Sequence, residues 1–463
     1  MDDRYVCNQN SLSLKHRQAE KRLVFLCGLV GAAALAAAPM QYSQNLCIFF
    51  LILFSAAFIL FLKYEKLKNY FNFPVVFSIT YFFVYFVYPV FIYPYDKYRF
   101  FSFAFGFNEN VITKATGLAL LGYISFMAGL MRDGKKHRRV RFIGSFSPLA
   151  DKYKSSDTRF VTLLVIIFTV IDIIRVVQSG SERLSGDQGG IWGYFLYIKN
   201  CVFAVSVTMQ LCCLKKEYAA AVSIFKKNAL LWIVIMTDIL VCFGTGRRTD
   251  PIFLSLLILA GVFLHRRKFS IWKMILIVAA GVFFMNMIRL ARMEDAAAFS
   301  FNIIDMAQDL ILNNYTLYVA YDYVGENGMV PFTLIGSLLR IFPFLLGITV
   351  RIFDIPYFHV YSASFFTVLI LKENAGSLGL GTNIIASLYL GAGLFGVIAG
   401  MYFYGMLVKK CSLKASENNP YKVLLFLILM GVSVYNVRSE YFYAAGLMTV
   451  SMVMMYLFRK IRL

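Results

Sequence analysis

The chain has 463 residues, of which 59% are hydrophobic, 17% aromatic and only 15% charged, with a mean hydropathy of +0.67. A soluble fold of this size could not hide so much apolar surface, so these values exclude a water-soluble domain and leave an all-α, polytopic membrane protein. The net charge of +21 would point to nucleic acid in a soluble chain. Here Lys and Arg fall in short gaps between apolar runs, as in cytoplasmic loops, so no nucleic-acid partner is expected.

The polar tail 1–22 precedes a full-length apolar run and does not have the form of a cleaved signal peptide. Hydropathy then predicts about twelve spans. Nine lie within 23–288, at 23–41, 45–62, 74–93, 112–131, 160–178, 191–214, 228–245, 251–264 and 271–288. Three more fill 383–458, at 383–408, 422–437 and 441–458, and a short tail, 459–463, ends the chain. About 31 of the 46 basic residues fall in alternate gaps, which places those gaps and both termini in the cytoplasm. The richest holds Arg132, Lys135, Lys136, Arg138, Arg139, Arg141, Lys152, Lys154 and Arg159.

The other gaps face out: 42–44, 94–111, 179–190, 246–250, 289–382 and 438–440. Only 289–382 is long. Within it Val330–Ile348 is apolar, but Arg340 sits near its middle and Pro343 interrupts it. About twelve residues between prolines suit a re-entrant or interfacial helix better than a span. A span there would also put the basic gap Lys409–Lys422 outside. We therefore expect a large external loop of short helices.

Basic residues are disfavoured in outward gaps, yet the turn Phe243–Pro251 (FGTGRRTDP) carries Arg247 and Arg248. Asp250 can cap the helix that follows and Pro251 suits its first turn. The arginines gain nothing from the positive end of that helix, whereas an anion beside them would gain from both. Binding of lipid headgroups or pairing with loop acids is the plainer alternative. Arg289 and Arg292 stand one turn apart on one helix face. Arg340, Arg351 and Arg438 complete an external set that is mostly Arg, the better residue for bidentate phosphate contacts. The pattern implies a phosphate or pyrophosphate site at the outer membrane surface.

Candidate general bases in the outer gaps are Asp322, Glu326, Asp354, His359, Glu373 and Glu440. His359 has the titration range for the role, though a lone His beside Tyr357, Phe358 and Tyr361 is more often a packing residue. Glu440, two residues from Arg438, can serve as base or as orienter. The acid pair Glu294–Asp295 reads as a solvated or salt-bridged face. The eight cysteines form no CxxC pair, and no metal or other cofactor is expected. The span charges Asp172, Lys199 and Asp238 are few, and Arg175 is placed to pair with Asp172. Gly391, Gly393, Gly396 and Gly400 allow close helix packing or a lipid-accessible groove.

Four features together resemble the Wzy-type O-antigen or oligosaccharide repeat-unit polymerases, enterobacterial common antigen polymerases included. They are about twelve spans with one large external loop in the C-terminal half, and the Gly-Thr-Gly-Arg-Arg turn at 244–248. They include Tyr361-Ser362-Ala363-Ser364-Phe365-Phe366 with Gly376–Thr382 and the small-residue run Ile384–Gly400, and lastly Arg438-Ser439-Glu440. The resemblance implies an architecture like that of lipid-dependent GT-C glycosyltransferases in the bacterial inner membrane. It implies transfer of an undecaprenyl-pyrophosphate-linked glycan onto a second lipid-linked repeat unit at the periplasmic face. On that reading Arg247, Arg248, Arg289, Arg292, Arg340 and Arg438 hold pyrophosphate, and His359 and Glu440 are the catalytic candidates. A chain-length regulator and membrane lipids are the implied partners. A flippase or transporter, or an O-antigen ligase, is the alternative.

Overall fold

The computed structural model describes residues 3–66, 69–132, 155–178, 191–212, 228–244, 249–264, 269–274, 276–277, 279–281, 303–342, 345–372, 379–414 and 419–460. Among them the only β pairing is an isolated bridge between Asn69 and Phe269. All else is helix and turn, as the bilayer demands: a lipid-facing backbone must satisfy its own polar groups.

The N-terminal helices are α1 (Asp3–Ala37), α2 (Gln44–Glu65), α3 (Phe73–Tyr85) and α4 (Ile112–Leu130). Then come α5 (Ser155–Gln178), α6 (Ile191–Cys212), α7 (Ala229–Gly244) and α8 (Thr249–Leu264). Seven short helices follow: α9 (Ile303–Met306), α10 (Gln308–Ile311), α11 (Tyr315–Asn327), α12 (Pro331–Leu339), α13 (Leu345–Ile352), α14 (Tyr357–Val360) and α15 (Ser362–Leu371). The chain ends in α16 (Ile384–Lys414), α17 (Pro420–Gly431) and α18 (Ala445–Lys460). Five helices are long and apolar enough to cross a membrane, and shorter apolar helices occupy several other predicted spans. The protein is thus an all-helical, polytopic membrane protein.

Capping sets several boundaries. Asn72 accepts from the Val75 amide at 3.1 Å with Pro74 in the first turn of α3, and Asn419 does the same for Tyr421 at 3.0 Å ahead of Pro420. This is the expected start of a helix. Pro89 follows α3, whose predicted continuation to residue 93 becomes a π turn, Tyr88–Ile92. Val330–Ile348 is two short helices, α12 and α13, and not one span.

One predicted span is folded differently. Ala392 and Gly393 leave helical geometry inside α16, with Gly393 at φ +59°. A continuous helix would hold residues 388 and 400 ~18 Å apart. Instead a Cβ on Gly400 would lie 2.6 Å from Leu388 Cδ2, and one on Gly396 2.8 Å from the Leu388 carbonyl. The chain doubles back. Ile384–Gly391 is a half-helix of about 12 Å, and the limb from Leu394 to Lys414, about 31 Å long, can cross the membrane alone. The apex packs under Met329–Val330: the Val330 amide donates to Leu390 O at 2.8 Å, and a Cβ on Gly393 would meet Met329 Sδ at 3.2 Å. The glycine run therefore builds a hairpin and its packing.

Helices in lipid gain little from hydrophobic attraction to each other and rely on close packing and hydrogen bonds. The long limb of α16 meets α4 backbone to backbone. A Cβ on Gly129 would lie 2.2 Å from Tyr402 O, and one on Gly405 2.2 Å from Phe126 O. Tyr81 donates to Ala119 O at 2.6 Å, and Tyr123 and Ser78 share a bond of 2.8 Å.

The polar gaps sort into two groups. In one, Arg17 lies over the Tyr64 ring, Tyr64 donates to Met131 O at 3.1 Å, and Lys409 donates to Arg132 O at 2.8 Å. In the other, Ser43 N donates to Thr113 Oγ1 at 2.8 Å, Arg99 pairs with Asp305 at 2.9 Å, Asn108 donates to Asp322 at 2.6 Å, and Arg340 pairs with Glu440 at 3.0 Å. Gaps of like predicted side thus meet each other.

Candidate substrate site

The second group of gaps includes a stretch of irregular backbone. Between α17 and α18 the chain runs as turns from 432 to 444, longer than the three-residue external gap expected at 438–440. Non-helical backbone at membrane depth is tolerated where it is buried in protein or lines a cavity. Arg438 and Glu440 stand on this stretch.

Glu440 is buried, 3% exposed. Its Oε1 accepts from the Ser362 amide at 2.5 Å, the Ser362 hydroxyl at 2.9 Å and the Ala363 amide at 3.4 Å. These are first-turn groups of α15, which no cap side chain of its own covers. A carboxylate there satisfies orphan amides and opposes the helix dipole. Its Oε2 lies 3.0 Å from Arg340 Nη1. Burial pushes the Glu440 carboxyl above the usual glutamate range, and the Arg340 charge and the Ser362 and Ala363 donors pull it back part of the way.

Arg340 follows α12 directly and is half-buried, its guanidinium 3.9 Å from the centre of the Tyr361 ring. Burial disfavours its charge, but Glu440 more than compensates and holds the guanidinium ionised. Ring and carboxylate fix two sides of a planar donor fork whose side chain is still 26% exposed, leaving donors for a ligand.

Arg438 differs. Its guanidinium lies 5.7 Å from the Tyr435 ring, and no carboxylate pairs with it among the described residues. Burial pulls its pKa down, opposed only by Tyr435 and Tyr443. Arginine does not deprotonate in proteins, so an enclosed guanidinium without a carboxylate is a ready site for an anion.

The same stretch also touches the start of α8. A Cβ on Gly431 would lie 2.7 Å from the Phe253 ring, and Tyr443 feels the charges of both Asp250 and Arg340. Asp250 accepts from Asn200 at 2.8 Å. Arg247 and Arg248 immediately precede α8 in the sequence; they lie outside the described residues, as do Arg289, Arg292, Glu294, Asp295 and Glu373.

His359 sits on α14 with its ring 4.3 Å from Phe358, and the structure records no hydrogen bond from its side chain. Tyr315 and Tyr318 pack against Phe103 and Phe107 and belong to the core. Tyr357 is exposed, 5.9 Å from Tyr361. Sequence reasoning missed Ser362 and Asn383 as individual anchors, though Ser362 falls in a quoted motif and Asn383 lies between two of them. Asn383 takes bonds from Tyr85 and Ala386 N and gives them to Asn313 O and Thr316, which pins the buried end of the half-helix.

The span charges form a closed cluster. Lys199 Nζ lies 2.7 Å from Asp172 and 2.9 Å from Asp238, and Arg175 also pairs with Asp172. Asp172, Asp238 and the Cys242 thiol lie close enough together to hold a metal ion, but the Lys199 ammonium occupies the position of a cation. Two acids and two bases neutralise one another between α5, α6 and α7.

A polytopic helical membrane protein with half-buried arginines on irregular backbone and a helical hairpin in its C-terminal half is the class these features define. The family model for O-antigen polysaccharide polymerase Wzy matches residues 22–462, and the chain belongs to that family. No curated protein and no solved structure matches it.

Proposed function

We propose that the protein lengthens a surface polysaccharide by joining lipid-linked repeat units at the outer face of the bacterial inner membrane. Family membership supports the polymerase reading, and the positive-inside rule assigns the basic gaps and both termini to the cytoplasm. On this reading the segment 289–382 and the turn that carries Arg438 face the periplasm. A hydroxyl oxygen of one repeat unit bonds to the anomeric carbon of the other chain. The bond from that carbon to the diphosphate oxygen breaks, undecaprenyl diphosphate leaves with the electron pair, and the hydroxyl proton passes to water or a base.

The observation that carries this assignment is the Arg438 guanidinium, which no carboxylate pairs with among the described residues and which shares the electrostatic neighbour Tyr443 with Arg340. Fixed cations aimed at a leaving diphosphate stabilise charge as it develops, the largest single contribution in many enzymes. Arg247, Arg248, Arg289 and Arg292 would extend this clamp. Glu440 fits the role of orienter for Arg340 better than that of base, since Oε1 is taken up by the first turn of α15 and Oε2 lies 3.0 Å from the Arg340 guanidinium. His359 is then the candidate proton acceptor. A chain-length regulator is the partner to look for.

Complementation of a polymerase-deficient host tests the proposal through the ladder of polysaccharide lengths on a gel. Wild type should restore the ladder, and Arg438→Ala at matched membrane expression should leave single repeat units. Repeat units that fail to reach the outer face without the protein would make it a flippase. Polymer that forms on the carrier but never joins the lipid core would make it a ligase.

A further inference from the structure

A concavity lies on the long limb of α16, away from Arg340. It is a cavity of ≈ 420 Å³ between the long limb of α16 and α17, lined by Phe403, Met406, Leu407, Leu425, Tyr441 and Phe442, with Lys410 and Lys422 in its wall. Phe403, Met406, Leu407 and Lys410 follow the spacing i, i+3, i+4, i+7 and share one helix face. From Phe403 to Lys410 the helix rises about 10 Å. The groove is therefore apolar over that length and cationic at its end.

Two further observations mark it as more than a chance gap. Phe442 has φ 63°, a left-handed conformation that is unusual for a bulky aromatic residue and tends to persist where surrounding structure demands it. The cationic end is also reinforced: Arg132 reaches Met406 Sδ at 2.6 Å, and Lys409 is bonded to the Arg132 carbonyl. The apolar lining suits a hydrocarbon chain. The lysines select its headgroup, because compact ammonium charges favour a phosphate without a cation of its own.

We propose that this groove binds an anionic glycerophospholipid, with an acyl chain along Phe403–Phe442 and its phosphate between Lys410 and Lys422. Tyr441 and Phe442 come from the same 432–444 stretch as Arg438 and Glu440, but the two lysines that would hold the phosphate, Lys410 and Lys422, lie on α16 and α17 and have no part in the proposed polymerase chemistry.

The test is native mass spectrometry of the full chain in mild detergent, titrated with phosphatidylglycerol and phosphatidylcholine of the same acyl chains. Wild type should prefer phosphatidylglycerol by roughly tenfold. The double variant Lys410→Gln, Lys422→Gln should lose that preference. Met406→Trp, which fills the groove and leaves the lysines intact, should weaken binding of both lipids. Equal binding of the two lipids by wild type overturns the proposal, as does an unchanged preference in the double variant. Displacement of phosphatidylglycerol by equimolar undecaprenyl phosphate would assign the groove to the polyprenyl carrier instead.

Discussion

Replacing Glu440 by Gln separates the two roles open to this residue. The amide oxygen can still accept from Ser362 and Ala363, so the α15 terminus remains capped. The charge facing Arg340 is lost. Breaking a fully buried pair costs about 3–5 kcal/mol, but Arg340 is 26% exposed and water recovers part of that, so about 1–3 kcal/mol is expected. The larger effect is on orientation. Once freed from Glu440, Arg340 should lose about one charge-assisted hydrogen bond to the donor diphosphate, roughly 10- to 150-fold in donor binding. Arg340→Met should cost the same binding, and the double variant should be no worse than either single one, because both act through one guanidinium. The assay is donor binding and single-turnover transfer by the purified protein with a lipid-linked repeat unit. If Glu440→Gln binds donor as wild type does and loses only the chemical step, Glu440 is a base and the orienting argument is wrong.

The same residue gives a pH signature whose sign can be worked out. The native Glu440 carboxyl titrates above the usual glutamate range, so the folded protein binds that proton more readily than the unfolded chain. Between the two values, acidification adds to stability through this group, and its contribution is lost again as pH rises through the native pKa. Protonation also removes the charge that holds Arg340. Activity should therefore fall in a pH window where thermal stability does not, and Glu440→Gln should flatten that limb of the activity profile.

Arg438→Met should abolish the polysaccharide ladder while leaving melting in detergent unchanged or raised by about 1 kcal/mol, since it removes an uncompensated charge; a lower melting point would mean that Arg438 is paired in the native fold. Lys199→Met leaves Asp238 without its cation while Arg175 still pairs with Asp172 and should cost about 3–5 kcal/mol, with Lys199→Met, Asp238→Asn recovering part of it. Gly405→Leu drives a side chain into the Phe126 carbonyl, which a Cβ alone would already approach to 2.2 Å. It should reduce the folded yield by at least the 1–3 kcal/mol typical of overpacking, read from detergent-solubilised monodisperse protein.

Much of the fold was legible because its signal is additive along the chain. Basic gaps alternate, and gaps of like parity meet: Tyr64 reaches Met131, and Arg99 reaches Asp305. The Asp172–Arg175 pair could be read from i,i+3 spacing alone. Hydropathy, however, is blind to chain direction. The run 383–408 sums to one span whether it continues or reverses, and the break at Ala392–Gly393 leaves the same apolar total. Only the cluster Gly391-Ala392-Gly393 hinted at a turn, and small residues serve packing equally well.

The site was legible as a composition and not as a constellation. External arginines stood out because the positive-inside rule gives them no ordinary reason to be there. Nothing local joins Arg340 to Glu440 or Glu440 to Ser362, since those contacts depend on how α12, α15 and the 432–444 stretch pack. The packing divides the labour within the set. Arg340, with a carboxylate and a ring to hold it, is a cation of fixed geometry. Arg438, with neither acid nor helix to satisfy it, carries the unmet electrostatic demand. On the proposed function, a donor with two linked phosphates offers an anionic partner to each arginine, which an isolated carboxylate of a sugar acid would not.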